Sequence, residues 1–111
     1  MSLRGLLSLL AVATLTASAH AQGPGISSSD GGVTVYAASW CPACHALEGE
    51  LRSRRVPFVE VDVDNNPRAF ERARQATGQS VIPQTSVETQ KGVKWIVGAD
   101  ADAVEDAYKG R

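Results

Sequence analysis

Two cysteines three residues apart are the residues in this chain whose type and spacing promise chemistry. They lie in Trp40-Cys41-Pro42-Ala43-Cys44-His45, and the chain has only these 2 cysteines. A disulfide across so short a loop restricts the unfolded chain little, so its value is reactivity rather than stability. A helix start leaves backbone N–H groups unpaired and presents the positive end of a dipole. A cysteine at the N-cap is therefore favoured as a thiolate. This makes Cys41 the exposed nucleophile. Cys44, one turn later, is the shielded thiol that resolves a mixed disulfide formed on Cys41. Pro42 suits the first helical position, where its missing N–H would have been unpaired anyway.

Two other readings compete for the same residues. Cys41 to His45 has the C-x-x-C-H form that attaches a c-type haem, with His45 as proximal ligand. A small c-type cytochrome would then need a distal ligand. The only methionine is Met1 and the only other histidine is His20, both in the N-terminal segment. Such a cytochrome is also helical, whereas this chain is rich in strand signals. A structural zinc site needs four ligands, and beyond Cys41, Cys44 and His45 there is no second clustered pair. No metal and no cofactor beyond the two sulfurs is expected.

The elements around the pair follow from local pattern. Val33-Thr34-Val35-Tyr36 is β-branched and aromatic, a strand. Pro42 to Arg54 reads as a helix, with Cys44, Leu47 and Leu51 on one face and Glu48 and Glu50 off it. Arg52, Arg54 and Arg55 end it, where cations suit the dipole. Phe58 to Val63 is a second strand. Asn66 as N-cap and Pro67 at the first helical position start a second helix that ends at Gly78. Thr85–Glu88 and Val93–Val97 form a hairpin around Gln90-Lys91-Gly92. Asp100 or Asp102 caps a last helix reaching Lys109. The order is β-α-β-α-β-β-α, and the helical crossover makes the first two strands parallel. Trp95 can face either side of its strand. Asp62 and Asp64 read as strand-end and loop carboxylates, and Arg68, Arg72 and Arg74 as a solvated helix face.

Composition bounds the rest. The chain has 111 residues, 43% hydrophobic and 21% charged, which fits one small folded domain. Lys and Arg total 11 against 12 Asp and Glu, so no nucleic acid or anionic membrane partner is expected. No apolar run reaches the roughly 18 residues of a membrane span. Residues 1–21 read as a signal peptide: Arg4, an apolar stretch from Leu6 to Ala17, and the small-x-small site Ala19-His20-Ala21. Cleavage before Gln22 leaves about 90 residues, exported to the periplasm or the medium, where disulfides persist. Residues 22–32 are a flexible Gly/Ser leader, and residues 33–111 the folded domain.

From Val33 to Tyr108 the chain resembles the thioredoxin superfamily, and in size and order it is most similar to a glutaredoxin. The likeness rests on Trp40-Cys41-Pro42-Ala43-Cys44 after a strand, on Val56-Pro57-Phe58 leading into Glu60-Val61-Asp62-Val63-Asp64, and on Ser80-Val81-Ile82-Pro83-Gln84. It implies an α/β fold with a four-stranded mixed sheet flanked by helices. It implies a thiol–disulfide oxidoreductase, a monomer, acting on protein disulfides or thiols, with glutathione as a possible co-substrate. It also implies a cis Ile82–Pro83 bond beside the cysteines, with the Ile82 backbone free to pair with a bound peptide or glutathione. Gly98-Ala99-Asp100 would cradle a γ-glutamyl group through amides at a helix start. The substrate-binding set is therefore Trp40, Pro42, Ile82, Pro83, Gly98, Ala99 and Asp100. Three positions depart from the pattern. Val35 stands where thioredoxins carry a buried acid. Ala38 stands where glutaredoxins usually carry a glutathione-gripping Lys. Gly98-Ala99 replaces a Gly-Gly pair. A non-catalytic binding domain that kept the fold is the remaining alternative.

Overall fold

The computed structural model describes residues 32–111. The expected signal peptide and almost all of the leader lie outside the described residues. The element order is β1 (Val33–Ala37), α1 (Pro42–Ser53), β2 (Val59–Asp62), α2 (Pro67–Thr77), β3 (Gln84–Thr89), β4 (Gly92–Val97) and α3 (Ala101–Lys109). The four strands form one sheet in the order β2-β1-β3-β4. β1 pairs in parallel with β2, as its helical crossover requires, with Ala37 opposite Asp62. β3 runs antiparallel to both β1 and β4, with Gln84 opposite Tyr36 and Val97. This is the four-stranded mixed sheet of a thioredoxin-like fold.

That register gathers four loops at one end of the sheet. β1 and β2 finish there, β3 begins there, and β4 finishes there. The loops after β1, after β2, before β3 and after β4 carry Cys41, Asp64, Pro83 and Gly98. The site is thus assembled from residues far apart in sequence by strand pairing alone.

The core is aliphatic and small. Val33 and Val35 of β1, Leu47 and Leu51 of α1, Val87 of β3, Ile96 of β4 and Val104 of α3 are buried in one cluster. α1 packs on α3, and α3 on β3 and β4. α2 buries only Ala73 fully and lies against β4. Gly78 ends α2 at φ 74, a left-handed turn that glycine adopts without a Cβ clash. Trp95 is half-buried, its ring 5.7 Å from that of Tyr36.

Three local expectations are corrected. Phe58 and Val63 fall outside β2, whereas Gln84 and Thr89 belong to β3. Asn66 occupies the N-cap of α2 but makes no capping bond with its side chain. Its Nδ2 donates instead to the Asp62 carbonyl at 3.0 Å, tightening the loop after β2. Glu48, expected on the outer face of α1, is buried with Cys44, Leu47 and Leu51. The i, i+4 spacing that links it to Cys44 outweighs its polarity.

Candidate active site

Cys41 is the N-cap of α1, and Pro42 opens the helix. The Cys44 N–H donates to Cys41 Sγ at 3.2 Å, so the sulfur takes the place of the usual capping oxygen. The first turn carries no acidic side chain that would compete for this position. Cys41 and Cys44 are paired with Cα atoms 5.3 Å apart, a separation a disulfide spans. The expected exposure of Cys41 is corrected here: the residue is only 5% exposed, against 1% for Cys44. Its N–H donates to the Ala38 carbonyl at 3.1 Å, and that tight turn draws both cysteines into the core cluster. Burial, the hydrogen bond to Cys41 and the Cys41 and Glu48 charges push the reduced Cys44 thiol up to about 12. At neutral pH Cys44 holds its proton until something takes it.

Trp40 precedes this pair and is 66% exposed. Its Nε1 donates to Asp64 Oδ2 at 2.7 Å, which ties the indole to the loop after β2. Asp64 is held in turn, its N–H donating to Asp62 Oδ1 at 2.9 Å. Asp64 was not foreseeable as a site residue: it lies 24 positions from Trp40, and a loop aspartate is ordinarily a solvated one. His45 stays exposed, with Nε2 2.7 Å from the Ser39 carbonyl. It ties the start of α1 to the loop in front of Cys41, and its engaged nitrogen does not fit the role of haem ligand.

The Ile82–Pro83 bond is cis, as the resemblance implied. Gln84, wholly buried, holds the loop that carries it. Its Nε2 donates to the carbonyls of Gln79 and Val81, both at 2.9 Å, and its Oε1 accepts from Thr77 Oγ1 at 2.9 Å. A buried glutamine satisfied on both sides is a rigid bracket. Neighbouring Val81 is exposed and Ile82 half-buried. Gly98 has φ 98 and donates its N–H to the Pro83 carbonyl at 2.8 Å, stitching the loop after β4 to the proline. Ala99 and Asp100 are exposed beyond it. Asp100 Oδ1 accepts from Ala103 N at 3.0 Å and caps α3. Ala38, where the resemblance would have a Lys, is buried and offers no charge.

Comparison with known proteins agrees with this geometry. The Glutaredoxin family model matches residues 33–91. Glutaredoxin 3 of Escherichia coli strain K12 is 31% identical over 58 residues, which cover 52% of this chain and 70% of that one. Among solved structures, the glutaredoxin of Archaeoglobus fulgidus superposes with a TM-score of 0.60 at 19% identity, covering 79% of this chain and all of that one. The glutaredoxin-like NrdH-redoxin of Escherichia coli superposes at 0.55 with 24% identity, covering 67% and 91%. At these identities the structural likenesses carry the fold alone. These findings favour neither a c-type cytochrome nor a non-catalytic binding domain that kept the fold.

Proposed function

The chain belongs to the glutaredoxin family, and from that membership we propose an exported, monomeric thiol–disulfide oxidoreductase that prefers protein disulfides to glutathione. The observation that carries the chemistry is the sulfur of Cys41 at the N-cap of α1, with Cys44 within bonding reach. Cys41 thiolate attacks a substrate disulfide and a mixed disulfide forms, releasing one substrate thiol. Cys44 then attacks Cys41 Sγ, releases the second thiol and leaves the pair oxidised. Run backward, the same steps donate a disulfide.

Substrate choice follows from what flanks the sulfurs. Trp40, next to Cys41, and Val81, in the loop that carries the cis proline, present exposed apolar surface. The backbone at Ile82, beside the cis proline, can pair with an extended chain. For glutathione the site offers less. Ala38 brings no cation to a carboxylate, and the Asp100 side chain is engaged in capping α3. Gly98 and Ala99 leave backbone amides as the remaining grip on a γ-glutamyl group. Export is supported by the apolar segment that ends in Ala19-His20-Ala21.

Insulin reduction by the purified domain, run beside reduction of a glutathione mixed disulfide, tests the substrate reading. Insulin should be turned over well and the glutathione substrate poorly; the reverse order overturns the preference. N-terminal sequencing of protein from the periplasm or medium should begin at Gln22. Intact Met1 on cytosolic protein overturns export.

A further inference from the structure

Glu48 has no packing reason to be where it is. α1 buries one stripe, and its other occupants are Cys44, Leu47 and Leu51. Glu48 is 3% exposed among them. Among the described residues its ion-pair partner is Arg52, whose Nη2 lies 3.9 Å from Oε1 on a side chain that is mostly in solvent. Oε2 is buried with no hydrogen-bond partner among the described residues. A buried carboxyl held so loosely costs stability that an apolar side chain would not. Its neighbours explain it differently. Cys44 is four residues earlier, one turn along the same buried face. Glu60 of β2 faces it from the sheet, close enough to bond once either carboxyl holds a proton. Glu60 is exposed and, with Arg52, lines an open groove to solvent.

We propose that Glu48 exchanges the proton of Cys44 with solvent while Cys44 resolves the mixed disulfide, with Glu60 as the outlet. The inference rests on the dithiol chemistry assigned above. In the forward step the Cys44 thiol gives its proton to the Glu48 carboxylate. The Cys44 sulfur bonds to Cys41 Sγ, and the bond from Cys41 to the substrate sulfur breaks. The substrate leaves as a thiolate and takes up a proton. Two electrons pass from the dithiol to the substrate, and Glu48 returns its proton through Glu60. In reverse, Glu48 supplies the proton that Cys44 needs as it leaves. β1, which lies beside the pair, is apolar at Val35 and offers no carboxyl.

The groups facing Glu48 set when it works. Burial first, then Glu60, push it up to about 7, while Arg52 and His45 on its own helix pull the other way. A base that titrates near neutrality is suited to a thiol that burial keeps protonated.

Ellman's reagent separates the steps. The reduced protein should release one aromatic thiolate as Cys41 attacks and a second as Cys44 resolves. In the wild type the second phase should rise with pH and level off above about 7. A second phase that instead climbs tenfold per pH unit through that region overturns the proposal without any variant. Glu48→Gln should slow the second phase at neutral pH by about tenfold or more, remove the plateau, and leave the first phase within twofold. Glu48→Asp should recover part of the rate and of the plateau. A Glu48→Gln second phase with wild-type rate and pH profile also overturns it. Absence of any first phase in the wild type would overturn the dithiol reading as well, so the two failures are distinct.

Discussion

The two ends of α1 are held by opposite means. At its N-terminus no charged side chain takes part. Cys41 caps the helix with its sulfur, Pro42 removes one unpaired N–H, and the first turn has no acidic residue. At its C-terminus Arg54 alone makes three ion pairs, to Glu50 on the same helix and to Asp102 and Glu105 on α3. Helix starts ordinarily gain from acidic side chains, and here that gain is forgone. A carboxylate in the first turn would compete with a thiolate for the same N–H groups and the same dipole. The bare end is therefore the reactive end, and the charged end is the anchor that lets it stay bare.

Breaking the reactive end has the largest effect. Cys41→Ser should reduce disulfide turnover to the uncatalysed rate, because no other sulfur in the chain can attack except the shielded Cys44. Cys44→Ser should keep the first step and stop at a mixed disulfide, visible as an adduct by intact mass. An adduct on Cys41→Ser instead would reverse the roles of the two sulfurs.

Between the two ends lies Glu48, and it adds a pH dependence of its own. Its proton is bound more tightly in the folded chain, at about 7, than at the ordinary value of 4.5. The stability this group contributes is thus full below 4.5 and lost as pH rises through about 7. A shift of this size corresponds to something on the order of 3 kcal/mol. Urea unfolding of the oxidised protein should show lower stability at pH 8 than at pH 5, and Glu48→Gln should flatten that difference. The oxidised form is the one to use, since Cys44 then has no proton to lose. Equal slopes in the two proteins would mean that Glu48 is better solvated than its burial implies.

How much of this could be read in the sequence depends on how far apart the partners lie. The order of elements, the parallel β1–β2 pair, the β3–β4 hairpin and the cap at Cys41 follow from local patterns, and they narrow the cap of α3 to Asp100 or Asp102; the place of β1 between β2 and β3 does not. The cis bond at Pro83 came with the family resemblance. What was missed needed tertiary contact. Polarity alone puts Glu48 outside, whereas its i, i+4 relation to Cys44 puts it on the inner face. Asp64 meets Trp40 only because β1 and β2 end side by side. Gln84 read as the last residue of a motif, and nothing local told that its side chain brackets the proline loop. The coverage of Cys41 depends on the turn back to Ala38, which no periodicity announces.

A smaller change sharpens the contrast between the ends. Ala43 is exposed in the first turn of α1. Ala43→Glu supplies the acidic residue that this end lacks. It should stabilise the helix slightly by the dipole and slow alkylation of reduced Cys41 by about threefold at low salt. Added salt should shrink both effects. Parallel changes in stability and reactivity, rather than opposite ones, would show that the bare first turn has no bearing on the thiolate.

The smallest effect is expected at the anchor. Asp102, Glu50 and Glu105 all hold Arg54 in its charged form, Asp102 most strongly. Glu105 is kept below the usual carboxylate range by its hydrogen bonds to Lys109 and Arg54. These groups are accessible to water, where single ion pairs are worth little. A shared guanidinium is a better case than a single pair, because one side chain is ordered for three contacts. Arg54→Met keeps most of the packing and removes the charge. It should lower the thermal midpoint by a few degrees at low salt and by less at high salt, while both phases with Ellman's reagent keep their rates. A loss of Cys41 reactivity in Arg54→Met would mean that the charged end of α1 does not merely anchor the helix but tunes its distant start, and the division drawn between the two ends would fail.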